Sequence, residues 1–269
     1  MVAADGSSPA ARAWAASLQE WALPEEILAS ARESPWGFPT ELFAVPEVLS
    51  DTPSRRRALE VLPPGGSVLD VGAGGGAASL ALVPPAGSVV GVDQSREMLG
   101  AFAAAARERH VPWVTVLGSW PEAAPGTDPA DVVVCHHVLY NVPAIAPFLQ
   151  ALTDHAKDRV VVEVTAVHPQ ASLNLLWQRF WGLPRPGGPT AEDALAVARE
   201  LGLDAGMERF ERPPRGAHLA LEARVAFVRR RLCLSEEADG EVARLLEEAG
   251  PEEPTATVCL WWGGRAPRP

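Results

Sequence analysis

Val68-Leu69-Asp70-Val71-Gly72-Ala73-Gly74-Gly75-Gly76 is the stretch whose reading decides the fold. Its first half is an apolar run of the kind that forms a strand buried on both faces. Glycines then recur where a strand must turn into the next element, and a residue without Cβ lets the backbone turn tightly and a ligand approach the peptide plane. Ala77-Ala78-Ser79-Leu80 predicts a helix over residues 76–83, with its free N–H groups and positive dipole end facing the same point. Strand, glycine turn and helix start together make a site for a nucleotide-type cofactor.

Two cofactor classes compete for that site. Gly72-x-Gly74-x-x-Ala77 satisfies the dinucleotide fingerprint, and Asp93 follows Gly72 by 21 residues at the end of a second apolar run, where it would accept from ribose hydroxyls in either case. Asp70 separates them. A carboxylate two residues before the first glycine would repel a pyrophosphate, whereas it suits a cofactor carrying an ammonium and a sulfonium. The pattern resembles motif I of the class I S-adenosylmethionine-dependent methyltransferases, of the small-molecule type found in high-GC bacteria. A nicotinamide-binding oxidoreductase, or a non-catalytic protein that retains the fold, are the alternatives.

The resemblance continues along the chain, over residues 67–142 and more weakly over 159–168. Ser88 to Leu99 is similar to the second family motif, Trp113 to Trp120 to the third strand and its turn, and Asp131 to Val142 to motif IV. It implies that Asp70, Gly72, Ala73, Gly74 and Gly76 hold the methionine end of S-adenosylmethionine. Asp93 would hold the ribose, Gln94 and Met98 the adenosine, and Gly118, Ser119 and Trp120 the adenine. Cys135 and the backbone after it would face the sulfonium. Many members carry Asp where Ser119 stands; a hydroxyl still accepts from the adenine amino group, though as a neutral partner.

Composition narrows the class. A chain of 269 residues with 47% hydrophobic content fits one large domain, or one domain with appended elements, around a sizeable core. No stretch reaches the ~18–20 apolar residues of a membrane helix, and the first residues lack the layout of a secretion signal, so a cytoplasmic protein is expected. Cys135, Cys233 and Cys259 are far apart, and no Cys/His spacing suggests a metal. A net charge of −11, with Lys157 the single lysine, argues against a nucleic-acid substrate. Arg229-Arg230-Arg231 is too short to reverse that and reads as a helix end. A small molecule is the expected partner; oligomeric state is not legible.

Residues 1–62 read as an N-terminal helical extension and 63–269 as the cofactor-binding domain. Helical patterning covers 9–33, Thr40-Glu41 opens a further helix, and Thr52-Pro53 caps another. Trp36, Phe38 and Phe43 either line a lid over the site or pack on the sheet. Strands are expected near 67–71, 88–93, 113–117, 131–135 and 159–166, with helices near 76–83, 95–109 and 143–156: a Rossmann-like, doubly wound α/β fold. A tryptophan-bearing helix at 171–182, a capping box at Thr190, a sixth strand at Met207–Arg212 and a helical insertion at 217–249 precede a final strand, Thr255–Trp262. Together these give a seven-stranded sheet with an antiparallel last strand.

Ligands of such a sheet bind beyond the carboxyl ends of its strands, which places the methyl acceptor near the ends of strands four and five. His136 and His137 stand at the mouth of strand four, and Tyr140 follows within one turn. Either imidazole suits a general base for a phenol, a hydroxyl or an activated carbon; otherwise one ring faces the cofactor wall and the other packs below it. The Asn-Pro-Pro-Tyr motif of amino-group methyltransferases is absent here, which argues against a planar exocyclic amine. His168 is the second candidate base, or a structural hydrogen-bonding group. Trp177, Phe180 and Trp181 either wall an apolar substrate or belong to the core, and His110, His155 and His218 read as structural or exposed. Glu163, inside a run of valines, must be paired or face a polar cavity.

Overall fold

The computed structural model describes residues 8–35, 51–214, 219–250 and 253–267. Thr40-Glu41, the lid candidates Trp36, Phe38 and Phe43, and His218 lie outside the described residues. Three helices come first, α1 (Pro9–Gln19), α2 (Glu25–Ser30) and α3 (Pro53–Leu59). An alternation follows: β1 (Ser67–Val71), β2 (Ser88–Asp93), α4 (Arg96–Glu108), β3 (Trp113–Leu117), β4 (Ala130–His136), α5 (Ile145–His155) and β5 (Ala156–Thr165). The chain ends with α6 (Asn174–Trp181), α7 (Ala191–Glu200), β6 (Gly206–Arg212), α8 (Leu221–Arg231), α9 (Asp239–Ala249) and β7 (Thr255–Gly263).

The strands form one sheet in the order β3-β2-β1-β4-β5-β7-β6. β1 to β5 run parallel, and β7 runs antiparallel to both β5 and β6. Valine-rich β1, β4 and β5 lie at the centre, and their apolar residues are almost wholly buried, as expected of parallel strands covered on both faces. Leu69, Val133, Cys135, Val160 and Val162 point to the layer that contains α1, α5 and α7. Val68, Val132, Val134 and Val161 point the other way, toward α3 and α4. By the same alternation, Asp70 and Glu163 belong to this second face. A third cluster, with Leu23, Ile27, Trp177, Val228, Leu232 and Val242, joins α2, α6, α8 and α9.

Local signals act where the sequence places them. Ser8, Thr52, Ser95 and Thr190 each cap a helix by accepting a backbone N–H, and Thr190 with Asp193 closes a full capping box. The expected helix over 76–83 is a correction: only a single 3-10 turn, Leu80–Leu82, forms there. Gly74 to Gly76 disfavour helix before it, and Pro84-Pro85 remove the donors needed to extend it. The glycine turn therefore has no full helix dipole behind it. Trp177 is fully buried in the third cluster, so it is core and walls no substrate.

The N-terminal helix is fastened by one residue above all. Trp14 is 1% exposed, donates its indole N–H to Val142 O at 2.8 Å and stacks on Tyr140. Replacing it by alanine removes a large apolar body and a hydrogen bond together. Trp14→Ala is expected to cost about 3–5 kcal/mol of unfolding free energy, read from urea unfolding curves; a loss under about 1 kcal/mol would show that α1 is only loosely attached.

Candidate functional site

In the order β3-β2-β1-β4-β5 the chain leaves β1 and β4 in opposite directions, so a crevice opens at their carboxyl ends. Gly72 and Val138 meet at this point. Gly72 has φ +72°, and a Cβ added to it would stand 2.3 Å from Val138 Cγ2. Any side chain there would push apart the loops after β1 and β4. Gly76, at φ +89°, is held similarly by Leu80 and Phe102. These two positions require glycine to let the loop lie flat on its neighbours.

The loop is tied from both sides by carboxylates. Asp93, at the end of β2, accepts from Gly74 N at 2.9 Å and from Ser95 N at 2.8 Å. A carboxylate has about four acceptor sites, so the half-buried Asp93 keeps capacity to accept two hydroxyls. Gly72 N and Ala73 N both donate to Val92 O. Asp70 lies beneath the loop, 1% exposed, and accepts from Ser79 N at 3.1 Å and Ser79 Oγ at 2.7 Å. Burial pushes its carboxyl up from 3.8 to about 7, against the pull of the Ser79 bonds, with the Asp93 charge adding to the rise. Its direct contacts are thus with the protein, and it anchors the segment after the loop.

The other residues named for the cofactor fall around the same rim. Gln94 and Ser119 are exposed, Met98 and Gly118 half-buried. Gly118 N donates to Asp93 O, which ties the turn after β3 to the acid. Trp120 is buried and meets His155 edge-on. Cys135 is fully buried, and burial pushes its thiol well above the ordinary range.

Beyond β4 the chain builds a polar cluster around Glu163. His136 and Glu163 are paired in register across β4 and β5. Glu163 is fully buried and accepts from Ser54 Oγ at 2.6 Å. Arg212 grips it with Nε 2.7 Å from Oε1 and Nη2 2.9 Å from Oε2, and His137 Nε2 lies 3.0 Å from Oε1. Burial alone would raise this carboxyl; the His136 and His137 rings and the Arg212 guanidinium hold it well below the usual carboxylate range. His137 has φ +59°, uncommon for a residue with a side chain, and this turn brings its ring back onto Glu163. Its backbone N–H donates to Glu163 O as well. Such local strain persists where the surroundings over-determine it.

The remaining candidates are engaged elsewhere. Tyr140 donates its hydroxyl to Thr165 O at 2.7 Å, and burial raises its pKa, so it is a brace across the ends of β4 and β5. His168 is 6% exposed and stacks on Trp21 with ring centroids 3.9 Å apart. Burial and then the Arg185 charge lower its pKa to about 4, which keeps it neutral near pH 7. Glu163 carried a signal in the sequence, a charge inside valines. Ser54 and Arg212 carried none, because they lie 109 and 49 residues from it along the chain.

The raised Asp70 pKa has a consequence for stability. Its folded value exceeds the unfolded 3.8, so its contribution is fully present below that value and is lost as pH rises through about 7. Against Asp70→Asn, the wild type should therefore gain relative stability as pH is lowered from about 7 to about 4. Parallel stability curves for the two proteins, from urea unfolding, would show that burial does not shift this group.

Residues 45–203 match the family model described as a methyltransferase domain, more than half of the chain. Comparison with curated protein sequences finds no match. Among solved structures, the YcgJ protein of Bacillus subtilis is similar over 79% of this chain and 97% of its own, at 16% identity and a TM-score of 0.52. The cyclopropane synthase MmaA2 of Mycobacterium tuberculosis is similar over 94% of this chain and 97% of its own, at 14% identity and a TM-score of 0.51. At these identities the two structures speak for the fold alone. The glycine loop, with the spare acceptor capacity of Asp93 beside it, fits a nucleoside-bearing cofactor. The chain belongs to the methyltransferase-domain family, the class I Rossmann-like fold whose cofactor is S-adenosylmethionine.

Proposed function

We propose that this protein methylates a small molecule at a proton-bearing nucleophile such as a hydroxyl, with His137 as the general base and Glu163 as the residue that orients it. The observation that carries this reading is the 3.0 Å contact between His137 Nε2 and the buried Glu163 carboxylate, beside the crevice at the ends of β1 and β4. When bound, S-adenosylmethionine supplies a methyl group on a positive sulfur, so the chain's task is to position the acceptor and manage its proton.

Each group then has a definite job. Backbone at Gly72, Ala73 and Gly74 would face the methionine end, and Gly76 with Asp70 would keep that loop in place. Asp93 would take the ribose hydroxyls, Gln94 and Met98 the adenosine, and Gly118, Ser119 and Trp120 the adenine edge. Cys135 would form the floor beneath the sulfur, with the backbone after it closest. Arg212 offsets the charge of Glu163, and His137 would donate to it from Nε2 in the neutral tautomer that a general base requires. Nδ1 then carries the lone pair, on a side chain that is 21% exposed, and takes the acceptor's proton. Glu163 stabilises the imidazolium that results. His136 shares the mouth of β4 and adds to the field on Glu163.

The structure also weighs against a dinucleotide. A pyrophosphate relies on the N-terminus of a full helix after the glycine turn, and here a three-residue 3-10 turn stands in that place.

Three expectations follow. Asp93→Ala should weaken S-adenosylhomocysteine binding by about tenfold or more, read by calorimetry; unchanged affinity would contradict the ribose assignment. With S-adenosylmethionine and a panel of phenols and alcohols, His137→Ala should lower the rate of S-adenosylhomocysteine release by about 10²-fold or more while cofactor affinity is kept. Glu163→Gln should lower the same rate and shift its pH profile. Release at the wild-type rate from His137→Ala would end the base assignment.

A further inference from the structure

A small cleft of about 50 Å³ opens beside the Glu163 cluster, between α3, the segment after the glycine loop and the end of β4. Ser54, Arg55, His136 and Arg212 line it on one side, and Ala77 and Ala78 on the other. No carboxylate lines it among the described residues, although the whole chain carries a charge of −11. Arg212 donates one Nη to Glu163 and holds Nε 2.7 Å from its other oxygen, and a guanidinium has five N–H donors in all. Arg55 donates Nε to Ala81 O at 2.9 Å, and no carboxylate pairs with it among the described residues. The cleft thus presents hydroxyl, imidazole and guanidinium groups, and the Arg55 charge is paired with no carboxylate among the described residues.

We infer that this cleft receives a carboxylate carried by the methyl acceptor. This rests on the proposed methyl transfer, and it names the substrate class. The volume is that of a few waters, which suits a carboxylate group and not a whole molecule. The body of the ligand must therefore continue out of the cleft, past His136 and toward His137, where the proton is to be removed. Planar guanidinium donors match a carboxylate's two oxygens. Two of the walls come from β4 and β6, on the side of the switch point away from Asp93 and the ribose position. The acceptor approaches from that side.

The test uses the full chain, titrated with acetate and with acetamide as the uncharged isostere, with the His136 ring resonances as the readout. Each titration is run with and without S-adenosylhomocysteine, so failure of the cofactor to bind is seen separately from failure of the carboxylate. Acetate should saturate in both states and acetamide in neither. Arg55→Gln should weaken acetate by about tenfold and leave S-adenosylhomocysteine affinity unchanged, and Arg55→Lys, which keeps the charge, should recover most of the binding. The proposal is overturned if acetate and acetamide act alike, or if both Arg55 variants bind acetate as the wild type does. It is equally overturned if S-adenosylhomocysteine displaces acetate, because the cleft would then hold the cofactor's own carboxylate.

Discussion

A carboxylate buried in the middle of a sheet must be satisfied or it costs several kcal/mol, and Glu163 is such a group. It is satisfied by donors from three separate elements: Ser54 from α3, His137 from the end of β4 and Arg212 from the end of β6. That requirement fixes more than charge. It holds α3 against the sheet, sets the strained turn at His137 and brings the terminal strand pair into the site. Removing one partner would leave the others around an ill-compensated charge, so the cluster acts as a unit. Glu163 is held well below the usual carboxylate range. Its stabilising contribution is therefore present above its unfolded value and is lost only as pH falls through the lowered folded one.

The site is assembled at the switch point because the sheet order leaves a crevice there. Gly72 lets the two diverging loops touch, while Asp93 and Asp70 clamp the glycine turn from above and below. On the other side, Trp14 stacks on Tyr140, Tyr140 meets His168 edge-on, and His168 stacks on Trp21. This aromatic run fastens the N-terminal helices to the ends of β4 and β5. It explains why Tyr140 and His168, though close to the crevice, are committed to structure.

Much of the fold was legible in the sequence because its signals are local. Apolar runs ending in Gly72, Asp93 and His136 give strands, and Thr52, Ser95 and Thr190 give helix starts. The helix expected after the glycine turn fails for an equally local reason, since Pro84 and Pro85 cut it short. The glycine turn was readable as a spacing, although Asp70 turns its carboxylate onto Ser79. Arg212 and Ser54 were not readable. Each is an ordinary surface-type residue until the fold carries it to Glu163, and no periodicity encodes a contact across 49 or 109 residues. Arg55 was hidden for the same reason.

The central claim is that Glu163 sets which nitrogen of His137 bears the proton. Long-range nitrogen–proton NMR of the labelled protein near pH 7 tests it directly. The account predicts a neutral His137 ring protonated at Nε2, with that order lost in Glu163→Gln. A ring protonated at Nδ1 in the wild type, or one indifferent to Glu163→Gln, would contradict it.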